Sequence, residues 1–199
     1  MKQINITTGK QRPIKRLNPL RRDTKECEDI MKRFMETMPD FPIKSIQRIQ
    51  NLHLWELFCR RREQLGRLKQ MNLEERMLFH GTDFGNVRSI CSSNFDLKLA
   101  GRHGSVYGKG IYFARNASFA HKYCKSTDSW KGMQPLKAMF LARVLVGEFT
   151  LGEGRFCSPP SKDKTRTSFY DSCVDEFFHP NIFVVFDSSQ IYPEYLIEF

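Results

Sequence analysis

Apolar residues recur at helical spacing in two places near the front of the chain, and at strand spacing almost everywhere after residue 77. In TKECEDIMKRFMETM, Ile30, Phe34 and Met38 fall four residues apart, Thr24 stands where an N-cap belongs, and acidic residues fill the first turn. An amphipathic helix is predicted there, closed by Pro39. IKSIQRIQ is rich in β-branched residues and lies between Pro42 and Asn51, which favours a strand. LHLWELFCRRREQLGRLKQ resumes the helical period through Leu54, Leu57, Phe58, Leu65 and Leu68, and Arg60 to Arg62 read as its solvent face.

Beyond Met77 the chain becomes short strands parted by glycine-rich or polar turns: MLFHG, GIYFA, a long AMFLARVLVGEFTL, IFVVF and a final YLIEF. Only FGNVRSICSSN and ASFAHKYC interrupt them with a helical pattern. Strands that do not alternate regularly with helices exclude a doubly wound parallel sheet, so an α+β domain with mostly antiparallel strands is predicted. GEGRFCSPPSKDKTRTS, with its prolines, lysines and hydroxyls, is the segment expected to be most mobile. At the front, QINITTGKQ reads as an edge strand and turn, and Pro13 and Pro19 mark residues 12 to 24 as a connector.

Composition narrows this picture. A chain of 199 residues with 40% hydrophobic content is long enough for one core. No stretch approaches the roughly 20 apolar residues that span a bilayer, and the first residues lack the apolar run of a secretory signal. A soluble, intracellular protein is expected. The six cysteines and five histidines are dispersed without metal-ligand or disulfide-framework spacing, so free thiols and no metal are expected. The net charge of +10 is concentrated at the front, where eight Lys and Arg residues within the first 25 face only Asp23. Without interleaved aromatics that run reads as solvated linker, and a nucleic-acid partner is not expected.

Three short patterns carry candidate chemistry: FHGT at 79 to 82, YGKGIYFA at 107 to 114, and PNIFVVF at 180 to 186. Gly108 and Gly110 form a GxG without the third glycine of a dinucleotide fingerprint or a Walker lysine. His80 beside Gly81 at a strand end, with Tyr107, Tyr112 and Tyr123 downstream, could form a slot in which a flat heteroaromatic ring stacks against backbone amides.

In their order and content these patterns, with YDSCVD between them, resemble the catalytic domain of the poly(ADP-ribose) polymerase family, the diphtheria-toxin-like ADP-ribosyltransferases. The resemblance covers residues 25 to 199 and is similar in detail to the mono-transferring branch with a single WWE module. Residues 1 to 24 resemble the end of such a WWE domain, an ADP-ribose-binding module, followed by a basic linker. The family implies an ADP-ribosyltransferase fold: a mostly antiparallel, split β-sheet core with flanking helices. It also implies NAD as co-substrate and proteins, including the enzyme itself, as acceptors. A nuclear or cytoplasmic location goes with it.

By the same resemblance, His80 would bond the 2′-hydroxyl of the adenosine-side ribose, and Thr82 would touch that ribose. The Gly81 backbone would hold the nicotinamide carboxamide, and Tyr112 and Tyr123 would sandwich the nicotinamide ring. Tyr107 and Ala120 fall at further cofactor-binding positions. Chain-forming members carry a glutamate where this chain has Ile182, and a side chain without a lone pair can neither act as a base nor orient a hydroxyl. Single-unit transfer is therefore expected. Glu194, on the next strand, reads as an ordinary surface or edge carboxylate. Many relatives place a serine hydroxyl on the carboxamide where Ala120 stands, and its loss costs about 0.5 to 1.5 kcal/mol of binding. The competing expectation is a weak or inactive NAD-binding pseudoenzyme that acts as a scaffold.

Overall fold

The computed structural model describes residues 2–4, 11–13, 17–69, 73–99, 105–126 and 135–199. Its strands and helices, in chain order, begin with β1 (Lys2–Ile4), β2 (Gln11–Pro13), β3 (Leu17–Pro19), α1 (Lys25–Met35), β4 (Ser45–Ile49), α2 (Leu52–Lys69) and β5 (Glu75–Gly81). They continue through α3 (Val87–Ser93), β6 (Ile111–Ala114), α4 (Ala117–His121), β7 (Ala138–Leu145), β8 (Phe149–Leu151), β9 (Ser172–Val174), β10 (Ile182–Val185) and β11 (Ile191–Glu198).

Local chemistry explains the helix starts. Thr24 caps α1 by accepting the Cys27 N–H at 3.3 Å, and Glu26 and Glu28 sit in its first turn. Asn51 does the same for α2 through the Leu54 N–H. Among the described side chains the buried seam of α2 is Leu54, Phe58 and Leu65, while Leu68, also expected on it, lies outside them. Leu57, predicted to face the core, is exposed. At 100° per residue it lies roughly 80° around the helix from that seam, too far to share it.

Nine strands form one sheet in the order β3-β4-β11-β7-β5-β6-β10-β9-β8, while β1 and β2 pair separately as an antiparallel couple. Every pairing in the large sheet is antiparallel except that of β8 with β9. Leu17–Pro19, inside the stretch read as a connector, forms one edge of this sheet. Alternate residues of the central strands feed two cores. Leu78, Phe140 and Phe183 pack with Ile90 and Phe95 on one side, while Phe79, Leu141 and Ile197 pack with Ile30 and Phe34 of α1 on the other.

The run AMFLARVLVGEFTL was expected as a single strand, and the structure divides it. Gly147 has φ +52° and turns the chain, so that β7 lies mid-sheet while β8 joins the far edge. A side chain at 147 would meet the Asp171 carboxylate at 2.1 Å. That carboxylate is needed there, because it accepts the Glu148 N–H at 2.7 Å. Glu194 also differs from its expected role. It grips Arg143 through two oxygens at 2.7 and 3.0 Å, while Glu75 takes a third guanidinium N–H at 2.6 Å, a half-buried cluster tying β5, β7 and β11 together.

Where a split core was expected the nine strands run as one sheet, whose ladder is thinnest between β5 and β6. β5 pairs with β7 over seven residues, Glu75 to Gly81, but meets β6 at one position only, Phe79 opposite Ala114. Beyond that point the two strands diverge.

Replacing Gly147 with alanine is expected to destabilise the fold by at least about 1 kcal/mol, through left-handed strain plus displacement of Asp171. Urea melts should show a lower midpoint with an unchanged slope.

Candidate active site

The divergence of β5 from β6 leaves polar backbone groups without a ladder partner, and His80 fills that role for one of them. Its Nδ1 lies 2.8 Å from the Tyr112 carbonyl oxygen. A carbonyl only accepts, so Nδ1 carries the proton and Nε2 keeps a free lone pair. The ring is wedged against Phe95 and Phe113, with centroids at 4.7 and 5.4 Å. Burial pushes its pKa down to about 4, outweighing the carbonyl bond that pulls the other way. His80 is neutral at pH 7 and offers one acceptor nitrogen.

Gly81 ends β5 against the backbone of α4. A Cβ there would lie 1.8 Å from the Ala120 carbonyl oxygen, so no larger residue fits without moving the helix. Ala120 is itself buried, and its carbonyl accepts the Tyr123 N–H at 3.0 Å. Thr82 follows in a buried position, its carbonyl bonded to the Lys125 N–H and its hydroxyl accepting from the Asn86 side chain at 3.4 Å.

Across the gap, Tyr112 projects from β6. Its hydroxyl accepts the Tyr107 N–H at 3.0 Å and donates to the Gly108 carbonyl at 2.8 Å, locking the preceding turn onto the strand. Burial raises its pKa, and the nearby Tyr123 and Tyr107 phenols push the same way. Tyr123 lies beyond α4, 42% exposed, with its ring 6.1 Å from Phe119. Between these walls β10 presents Ile182, buried in an apolar cluster with Cys173 and Val184 against which Tyr107, Tyr112, Phe119 and Phe156 pack.

The structure therefore brings His80, Gly81, Ala120, Tyr112, Tyr123 and Ile182 into one neighbourhood, through His80 with Tyr112, Gly81 with Ala120, Ala120 with Tyr123, and Tyr112 with Ile182. Tyr107 reaches it through its backbone and ring, whereas the Thr82 hydroxyl is engaged by Asn86. Phe119, Phe156 and Asp175 escaped the sequence reading. Phe119 was visible four residues before Tyr123. Phe156 comes from a loop whose approach no local pattern reveals. Asp175 stands in the quoted YDSCVD, and its carboxylate accepts three backbone N–H groups, including that of Ile182 at 2.9 Å. It thereby fixes the start of β10.

A family model, the poly(ADP-ribose) polymerase catalytic domain, matches residues 23–158. The chain belongs to this family. It is 42% identical to protein mono-ADP-ribosyltransferase PARP11 of Homo sapiens, over its full length and 73% of that relative. It is 44% identical to protein mono-ADP-ribosyltransferase PARP12 of Mus musculus, over 88% of this chain and 24% of the longer relative. Protein mono-ADP-ribosyltransferase PARP14 of Homo sapiens is 36% identical over 87% of the chain and 10% of its own length. The nine-stranded, mostly antiparallel sheet agrees with the fold this family implies. No helix among the described residues is long and apolar enough to cross a membrane.

The neutral state of His80 has a thermodynamic consequence. Its folded pKa is depressed, so between about pH 6.5 and 4 the unfolded chain binds the proton more tightly, and the stabilisation present above pH 6.5 is lost as pH falls. The slope from this group should reach up to about 1.4 kcal/mol per pH unit. His80→Asn, which retains a donor for the Tyr112 carbonyl, should flatten stability against pH over that window in denaturant titrations.

Proposed function

We propose that the cleft binds NAD and transfers a single ADP-ribose to protein side chains, releasing nicotinamide. The observation that carries this reading is the junction of Gly81 with Ala120, opposite Tyr112. Only a residue without a side chain lets β5 run this close to α4, and in this reading that junction and the rings packed on the Ile182 cluster bound a narrow slot. A flat carboxamide-bearing ring suits such a slot, since amide edges pair with backbone groups and the ring face with phenols. The names of the relatives support the same activity.

In this reading Tyr112 and Tyr123 hold the nicotinamide ring, and the Gly81 backbone holds its carboxamide. His80 accepts a hydrogen bond from a ribose hydroxyl at Nε2, the nitrogen that its bond to the Tyr112 carbonyl leaves bare. The Tyr112 hydroxyl is spent on Tyr107 and Gly108, so its contribution is to hold the turn and present the ring. NAD itself supplies an electrophilic ribose carbon with a good leaving group. The chain's part is positioning and exclusion of water, the latter from Ile182, Phe119 and Phe156.

Ile182 decides the product. An alkyl side chain cannot deprotonate or orient a sugar hydroxyl, so an ADP-ribose already attached is a poor next acceptor. The nearby carboxylate of Asp175 has a structural task, its Oδ1 accepting three backbone N–H groups at 2.9 to 3.0 Å. Acceptors that bring their own negative charge, such as a protein carboxylate, need no such base. Residues 1 to 24 we read as the end of a WWE-like module with its linker, a reading compatible with the separate β1–β2 pair.

Incubating the purified protein with NAD should add masses of one ADP-ribose per site, without a ladder of higher products on denaturing gels. Tyr112→Ala should abolish the additions, and a ladder of long products would overturn the single-unit assignment. Ala120→Ser, which returns a hydroxyl to a buried wall position, should lower the KM for NAD by up to about tenfold with little change in kcat. Initial rates over a range of NAD concentrations check this.

A further inference from the structure

The acidic residues on the loops around Ile182 differ in what already occupies them. Asp175 and Glu176 cap backbone N–H groups of their own turn. Asp171 holds the Glu148 N–H, Glu148 is paired with Lys162, and Asp163 gathers Thr165 and Thr167. Glu153 stands apart. Its ion-pair partner is Arg155 at 2.8 Å, with 78% of the arginine side chain and 51% of the glutamate side chain open to solvent. Exposed pairs of that kind contribute little and separate readily.

Three observations hold Glu153 at the rim of the cleft. Gly152 and Gly154, on either side of it, approach the turn before β6 so closely that a Cβ would lie 2.3 Å from the Tyr107 carbonyl oxygen and 2.8 Å from that of Ser105. Phe156, whose N–H bonds the Glu153 carbonyl at 2.9 Å, packs its ring into the cluster of Ile182, Tyr107 and Tyr112 and accepts the Lys109 N–H at 2.7 Å. Cys173, buried in that cluster, has its thiol pushed up to about 11, by burial first and by the charge of Glu153 second.

We infer that Glu153 is an acceptor for the protein's own transfer reaction, an automodification site on the segment that walls the cleft. The inference rests on the transfer activity proposed above. A Glu153 carboxylate oxygen bonds to C1′ of the nicotinamide-side ribose while the bond from C1′ to the pyridinium nitrogen breaks. The electron pair of that bond returns to the ring, nicotinamide leaves as a neutral molecule, and the product is an ester. A carboxylate brings no proton to remove, so the step asks nothing of the apolar side chain at 182. Arg155 is the counter-ion that the attacking group must leave.

The test uses the full chain incubated with NAD, digested, and mapped by tandem mass spectrometry before and after hydroxylamine, which cleaves such esters. Glu153 should carry a hydroxylamine-labile ADP-ribose, formed with a rate constant independent of protein concentration. Glu153→Gln should lower automodification about tenfold or more, while leaving the melting temperature unchanged and nicotinamide release to a supplied acidic peptide within about twofold. Arg155→Ala should raise the rate of modification at Glu153 about two- to fivefold, because the carboxylate is freed. An unmodified Glu153 alongside filled sites elsewhere, or a rate that rises with protein concentration, overturns the inference and leaves the transfer activity standing. Absence of nicotinamide release with any acceptor overturns the transfer activity and this inference together.

Discussion

The single pairing of Phe79 with Ala114 is the constraint on which the cleft depends. β5 is bonded to β7 along its length, and β6 is bonded to β10 along its own, so each strand is rigid on one side and free on the other. Once they part, backbone groups that a sheet would normally pair face open space. The His80 imidazole takes one of them, the Tyr112 carbonyl. Because burial holds that ring neutral, the bond fixes which nitrogen is left to a ligand. In the proposed reading, structural repair and recognition fall to the same side chain.

The two walls of the opening are held by unlike means. On the α4 side it is steric: Gly81 admits the Ala120 carbonyl to a distance no Cβ would allow, and the chain then returns through Tyr123 and Lys125 to bond Thr82. On the β6 side it is polar, with one tyrosine hydroxyl acting as both donor and acceptor to the turn at 107 and 108. The contacts just described involve no charged side chain, and the cluster behind them is apolar. Charge in the proposed chemistry has to come from the co-substrate and the acceptor, which fits the apolar surroundings of Ile182 on β10.

Rigidity at the cleft is supported from farther away. Arg143 joins three strands through Glu75 and Glu194, a cluster whose hydrogen bonds to charged groups offset the cost of partial burial. Asp175 anchors the first residue of β10 by its backbone. Gly147 and Asp171 carry the chain from mid-sheet to the far edge, which frees the following segment to bring Phe156 back over the turn before β6.

Much of this protein is legible from its residues in order. Helix α1 could be read from the spacing of Ile30 and Phe34 behind Thr24, and the strands from alternation, because periodicity and capping are local properties. The motifs around His80, Tyr112 and Ile182 point to the family by their order and content alone. Other features are invisible without the fold. The break at Gly147 depends on a carboxylate 24 residues away. The exposure of Leu57 depends on which stripe of α2 meets the sheet, and the half-buried pairing of Glu194 on two neighbouring strands. The tautomer of His80 follows from a carbonyl 32 residues on. Sequence alone determined which elements form and which residue types stand ready. Tertiary structure decided which of them meet, since burial and hydrogen-bond partners are set by chain segments far apart in order and adjacent only in space.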